Sequence, residues 1–295
     1  VYYRLSFYTN EEVLCMKIYM SVDMEGATGV VRSEQTKASR EEYRFGQAMQ
    51  THDLKAAIEG ALEGGAREIL VNDSHDGMIN ISPADLSRYG GRVRIISGSP
   101  KKLGMMEGVE CCDGAFFLCY HAMAGTERAI LDHTISGKTV YGAWLNGKEV
   151  GEIGLNAAVC SEHSIPVLLV TGDTAACEEA RSTLGQQALT CSVKRGIGHS
   201  SADCLPPDET FEIIRKGAFD AAKSLKDGET GKNEISRGAF QLDISFHYTS
   251  QADNAATIPG TTRVDGRTVR IEGIGMDLMR RWAGSLISLG GSVAF

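Results

Sequence analysis

Apolar residues along the chain follow two rhythms, and their alternation predicts the architecture. After Met16 a short apolar run, Lys17 to Val22, stops abruptly at Asp23-Met24-Glu25-Gly26 and reads as a strand. From about Arg40 to Leu62, the residues Phe45, Met49, Leu54, Ile58, Ala61 and Leu62 recur at helical spacing, and Gly64-Gly65 supplies the stop. Strand-like runs return at Glu68 to Asn72, closed by Asp73-Ser74-His75-Asp76-Gly77, and at Val93 to Ile96 after the Gly90-Gly91 turn. A fourth, Ala115 to Tyr120, ends on His121. Val150 to His163 reads as a helix, Pro166 to Val170 as a buried strand and Thr174 to Gln187 as another helix. Strands and helices alternating at this spacing predict an α/β fold, with a largely parallel or mixed sheet flanked by helices.

The last third changes character. A helix from Pro207 to Leu225, strands near Phe240 to Tyr248, an Asp265-Gly266 hairpin and a final helix from Met276 to Leu289 predict a smaller α+β C-terminal portion. The expected organisation is therefore an α/β metal-binding catalytic domain over 16–200 and the α+β portion over 201–295. Residues 1–15 lack both the basic start and the apolar stretch of a secretory leader. They read as an upstream extension or an expression scar, with Met16 as the natural start.

Composition narrows the class of partner. With 38 Asp plus Glu against 30 Lys plus Arg, the formal charge is -8, and basic residues cluster no further than pairs such as Lys101-Lys102 and Arg280-Arg281. That distribution offers no electrostatic footprint for nucleic acid. No apolar run reaches the roughly 20 residues that span a bilayer, so no membrane association is expected. Eight cysteines without a C-x-x-C read as reduced thiols, which suits a cytoplasmic protein. No chemistry is assigned to them, the adjacent Cys111-Cys112 included.

In open α/β sheets, ligands bind beyond the carboxyl ends of the strands. Three candidate strands finish there in metal-type side chains: Asp23 and Glu25 after the first, His75 after the second, His121 after the fourth. Singly, each has an ordinary reading as a solvated turn, a turn histidine or a satisfied half-buried histidine. Together they crowd one sheet edge. Glu152 joins as a fifth candidate in V-G-E-I-G-L-N, although a carboxylate in a first helical turn is also favoured by the helix dipole. Three carboxylates in one cleft repel by several kcal/mol at about 4 Å and an effective dielectric near 20. Two Zn²⁺ offset that charge, and two His, two Glu and one Asp serve two ions if one carboxylate is shared. Asp23, at the strand tip, is the expected bridge, while Asn72 and Asp73 are candidates to orient His75. His133, in L-D-H-T-I, is either structural or the group that handles a proton. The stretch Gly198-His199-Ser200-Ser201-Ala202 falls one glycine short of G-x-S-x-G, which makes Ser200 a weak nucleophile candidate. No H-E-x-x-H, Walker A loop or G-x-G-x-x-G is present.

Six stretches carry a more specific likeness: M-K-I-Y-M-S-V-D-M-E-G (16–26), V-N-D-S-H (71–75), F-L-C-Y-H-A (117–122), V-G-E-I-G-L-N-A (150–157), P-V-L-L-V-T-G-D (166–173) and Q-A-D-N-A-A-T-I-P-G (251–260). In this order they resemble the zinc-dependent D-aminopeptidases of the DppA type, associated with bacterial dipeptide-transport operons. The resemblance implies that Asp23, Glu25, His75, His121 and Glu152 bind two zinc ions per subunit and that His133 is the catalytic histidine. It also implies a homodecamer of two stacked rings, a short peptide as substrate and a preference for N-terminal D-residues. Two departures bear on the pocket: His199 stands where an arginine is expected, and the 122–132 linker differs in composition. The expected function is a di-zinc metallo-aminopeptidase. The alternatives are another di-metal hydrolase, such as a phosphoesterase, or a non-catalytic peptide-binding protein.

Overall fold

The first strand is buried along both faces, with Tyr19 in one core and Ile18, Met20 and Val22 in the other. A strand with two apolar faces belongs in the interior of a sheet covered on both sides. The computed structural model, which describes residues 16–230 and 240–293, builds such a sheet. The expected extension at 1–15 lies outside the described residues.

In chain order the elements are β1 (Lys17–Val22), α1 (Tyr43–Glu63), β2 (Glu68–Asp73), β3 (Val93–Ile96), β4 (Gly114–Tyr120), β5 (Val140–Leu145) and β6 (Lys148–Glu149). They continue with α2 (Glu152–Glu162), β7 (Val167–Asp173), α3 (Thr174–Leu184), β8 (Leu189–Gly198), β9 (Ser201–Cys204) and α4 (Pro207–Asp227). The chain closes with β10 (Phe240–Phe246), α5 (Thr249–Ala255), β11 (Thr262–Arg263), β12 (Thr268–Ile274) and α6 (Met276–Gly291). The first sheet has the order β3-β2-β1-β4-β7-β8-β9, parallel except for the edge strand β9. The second, β11-β12-β10-β5-β6, is antiparallel throughout. The fold is the mixed α/β arrangement that the hydrophobic pattern predicts.

The expected boundary near residue 200 does not separate the layers. Strands β5 and β6, from before it, pair into the second sheet with β10. Helix α4, from after it, packs on α1 over the first sheet, in the core that contains Leu54, Ile58, Ile214 and Ala218. Two glycines make that approach possible: a Cβ at Gly60 would lie 2.0 Å from the Arg215 carbonyl oxygen, and one at Gly64 would lie 2.6 Å from that of Phe219. On the other side of the first sheet, α2, α3, α6 and the second sheet share a core that includes Tyr120, Ala158, Ala180, Leu242 and Leu286.

The β5–β6 hairpin was absent from the sequence expectation although its signal is present. Asn146 and Gly147 both have positive φ, 52° and 80°, the conformation that favours Asn-Gly in two-residue hairpins. The Asp265-Gly266 turn was expected and forms, with the Asp265 carboxylate accepting from the Arg267 and Thr268 amides.

Gly60→Ala tests the helix seam. Alanine is favoured over glycine in a helix interior by about 1 kcal/mol, whereas overpacking costs about 1–3 kcal/mol. With the new methyl against backbone, the clash should win and the urea midpoint should fall. A raised midpoint would show that the two helices part freely.

Candidate metal centre

The chain positions its polar groups by extending the sheet's own hydrogen bonds past the strand ends. Beyond β1, the Asp23 amide donates to the Leu118 carbonyl (2.9 Å) and the Gly26 amide to that of Cys119 (2.8 Å). Gly26 must be glycine, since a Cβ there would meet the Tyr120 carbonyl oxygen at 2.0 Å. Beyond β2, the Ser74 amide bonds the Val22 carbonyl at 2.9 Å, which brings His75 beside Asp23. Near the end of β4, Cys119 adopts a φ of 60°, and its amide donates to Thr171 Oγ1 (2.9 Å) where the ladder to β7 slips. That irregularity precedes His121. Glu152 opens α2, and its Oε1 accepts from the Ile135 amide at 2.8 Å.

These segments bring all six expected residues into one cluster. His75 Nδ1 lies 3.0 Å from Glu25 Oε2 and 3.2 Å from Asp23 Oδ1. His121 Nε2 lies 3.2 Å from Glu152 Oε1 and 3.5 Å from Asp23 Oδ2. His133 Nε2 is 3.8 Å from Glu152 Oε1, and its ring stacks on that of His121 at 4.0 Å between centroids. The donor atoms form two groups, Asp23–Glu25–His75 and His121–His133–Glu152, each spanning no more than 4.8 Å. The two oxygens of Asp23 face one group each.

Tautomers decide what the cluster needs. The second ring nitrogen of each histidine is occupied by a backbone carbonyl: His75 Nε2 by Thr36 (2.8 Å), His121 Nδ1 by Ala122 (2.9 Å) and His133 Nδ1 by Leu131 (2.8 Å). When those nitrogens donate, the other nitrogen of a neutral ring presents a lone pair, here toward carboxylate oxygens that also carry lone pairs. Two of the facing atoms, Glu25 Oε2 and His121 Nε2, are buried without a hydrogen bond of acceptable geometry. Only protons or cations between the facing atoms relieve this arrangement. Oxygen and imidazole donors at such spacing suit divalent zinc.

Electrostatics without a cation show the same demand as proton uptake. Burial raises Asp23, and the Glu25 charge adds to it, taking its pKa to about 7. Burial opposes charge on His75 and His121, but the neighbouring Glu25, Glu152 and Asp23 carboxylates prevail and hold both well above the usual histidine value. Burial also opposes ionisation of Glu25 and Glu152, yet His75 pulls the first well below the carboxylate range and His121 brings the second to about 2. His133 is lowered by burial and by the adjacent His121.

Asp23, Glu25, His75, His133 and Glu152 form the floor of an open cleft of about 630 Å³, which buried His121 does not line. The lining of the cleft also includes Ser33, Thr36 and Lys37 from one segment, Ser136, Gly137 and Lys138 from another, and exposed His199, bonded through Nδ1 to Asp132 Oδ1 at 2.7 Å. The other oxygen of Asp132 accepts from the Gly125 amide at 2.7 Å, so its hydrogen bonds go to His199 and Gly125 and not to His133. Asn72 and Asp73 do not orient the His75 ring. Asn72 donates to Tyr19 and to the Gly104 carbonyl, while Asp73 binds Asn80, which in turn donates to the His75 carbonyl. The ring is oriented by the Thr36 carbonyl, a main-chain partner that no side-chain pattern announces. Ser200 lies in the turn between β8 and β9 with no helix following, so it has no nucleophile-elbow geometry. Arg128 is exposed and pairs with Glu127. His52 and His163 bind Asp53 and Asp277 outside the cluster.

A largely parallel α/β sheet whose strand ends gather three carboxylates and three imidazoles under an open cleft has the layout of a metal-dependent hydrolase. Comparison with known proteins narrows that class. The model of the D-aminopeptidase family matches residues 16–283. A D-aminopeptidase of Bacillus subtilis (strain 168) is 34% identical over 255 residues, which are 86% of this chain and 89% of that protein. The solved structure of Zn-dependent D-aminopeptidase DppA from Bacillus subtilis, described as a self-compartmentalizing protease, superposes with a TM-score of 0.88 at 32% identity, covering 95% of this chain and all of the other. The chain belongs to the D-aminopeptidase family of peptidases. That membership does not favour the phosphoesterase and binding-protein readings.

Because metal ligands must shed their protons, a divalent cation should bind more tightly as pH rises. His75 and His121 hold protons at neutral pH, and Asp23 titrates near 7. Affinity measured by chelator competition should increase between pH 6 and pH 8, with proton release on binding. Affinity independent of pH would mean that the cation binds elsewhere.

Proposed function

We propose that this protein is a zinc-dependent aminopeptidase that removes N-terminal D-residues from short peptides. The observation that carries the reading is the confrontation of lone pairs in two donor groups that share Asp23. Asp23, Glu25 and His75 would hold one zinc ion, and His121 and Glu152, with the second oxygen of Asp23, another. Bound zinc supplies Lewis-acid polarisation of the scissile carbonyl and of water.

The remaining work falls to the chain itself. His133 is the proposed proton carrier: its Nδ1 is committed to the Leu131 carbonyl, so Nε2 is the atom that takes and returns a proton. Burial and the adjacent His121 lower its pKa and so favour the neutral ring, the form that can accept a proton. Its 3.8 Å separation from Glu152 is the longest of the paired distances in the cluster, and its side chain is 23% exposed, which suits a group that meets substrate. The donor set is buried beneath the cleft, so a peptide enters from the side of Lys37, Lys138 and His199. Zinc and the preference for D-residues are supported by the related Bacillus subtilis enzymes.

The relative described as self-compartmentalizing supports a closed homo-oligomer, proposed as a homodecamer. Seven cysteines among the described residues are free thiols, which suits the cytoplasm. No helix among the described residues is long and apolar enough to cross a membrane.

Elemental analysis should find about two zinc ions per chain, one for each donor group. His75→Ala should lose metal together with hydrolysis of D-Ala anilide, and L-Ala anilide should be the poorer substrate of the wild type. A metal-free protein with full activity would overturn the reading. His133→Ala should keep its zinc while hydrolysis falls about 100- to 10,000-fold. Light scattering should give the mass of an oligomer, and a monomer would remove the enclosed-chamber picture.

A further inference from the structure

Lys194 sits in the middle of β8 with only 2% of its surface exposed. A lysine so placed is costly unless its ammonium is fully hydrogen-bonded. All of its bonds go to one loop: Nζ donates to the carbonyls of Glu25 (2.7 Å), Ala27 (2.7 Å) and Val30 (2.5 Å). A neutral amine has two N–H groups, so three accepted bonds require the charged form. The same loop is also held by a carboxylate, since buried Asp53 accepts from the Thr28 amide (2.8 Å) and hydroxyl (2.7 Å).

The consequence falls on one peptide unit. The Glu25 carbonyl and the Gly26 amide belong to the same plane; Lys194 binds the first, and the Cys119 carbonyl accepts from the second at 2.8 Å. With both ends engaged, that plane cannot rotate, and the direction in which the Glu25 side chain leaves the backbone is set. We propose that Lys194 is a positioning residue of the metal centre, fixing the Glu25–Gly26 peptide and thereby aiming the Glu25 carboxylate into the group it forms with Asp23 and His75. The inference rests on the zinc reading, and Lys194 itself touches neither ion nor substrate.

The test is zinc affinity of the metal-free protein, measured by competition with a chromophoric chelator. Wild type, Lys194→Met, Lys194→Gln and the core control Leu242→Ala on β10 are compared, with urea stability recorded for each. Lys194→Met should bind one of the two ions, that of the Asp23–Glu25–His75 group, roughly 10- to 100-fold more weakly, as loss of a residue that supports a ligand does. Lys194→Gln keeps two N–H donors without the charge and should lose less. Leu242→Ala should lose stability while its affinity stays within about twofold, as expected of a site that shares no partners with the cluster. Equal affinity in wild type and the Lys194 variants would overturn the proposal, as would an equal loss in Leu242→Ala. If Lys194→Met does not fold, Lys194→Gln decides; if neither folds, Lys194 serves the fold rather than the centre and the proposal is overturned. A wild type that binds no zinc is a separate result, which removes the metal reading itself.

Discussion

Buried carboxylates facing imidazole lone pairs need positive charge between them, and much of the structure serves to hold that demand in place. Left to relax, Asp23, Glu25 and Glu152 would turn toward water. They are prevented because each is tied to a backbone that the sheet controls. Asp23 continues the pairing of β1 with β4, Glu152 takes the Ile135 amide, and Glu25 sits between two pinned residues. The energy of burying the cluster is met by the packing of two apolar cores on either face of the first sheet. A site of this kind is destabilising in isolation and depends on a scaffold stiff enough to keep unfavourable neighbours together.

Much of this was legible in the chain because the parallel sheet converts sequence into position. A strand that ends at Asp23, another before His75 and a third before His121 must release their next residues at the same edge when their order is β2-β1-β4, and they do. Asp23, Glu25, His75 and His121 are found together for that reason, whereas Glu152 arrives on the first turn of α2 and His133 on the segment between β4 and β5. Partners that are main-chain carbonyls were not legible: Thr36, Ala122 and Leu131 fix the imidazoles through atoms every residue possesses. Strand β8 was not legible because the alternation of Leu189, Cys191 and Val193 with polar neighbours stops at Arg195, about halfway along it. Hairpin β5–β6 is different, since Asn146-Gly147 announced it and the second sheet was under-read.

The cleft divides into two regions of unlike character. Its floor is buried, charged and fixed by hydrogen bonds. Its edges, at Ser33 to Lys37 and Ser136 to Lys138, are more exposed except at Thr36, and their side chains bond within their own segments, as Lys37 does to Ser33 and Ser136 to Thr139. His199, bonded to Asp132 at the edge, stands where the sequence resemblance leads one to expect arginine. An imidazole is shorter than a guanidinium and presents one free ring nitrogen rather than a fork of donors. Under the proposed function, the contrast between floor and edge would separate the chemistry of bond cleavage from the choice of peptide.

The four residues from Asp23 to Gly26 are bracketed by hydrogen bonds to Leu118 and Cys119, and Gly26 admits no side chain. The bracket works as a fixed gauge: the span can be neither lengthened nor shortened without pulling a carboxylate out of place. Change is therefore channelled outward, where side chains at the rims can be exchanged while the gauge, and the Thr36 carbonyl that orients His75, stay in place. A descendant enzyme can change what it eats far more easily than how it cuts.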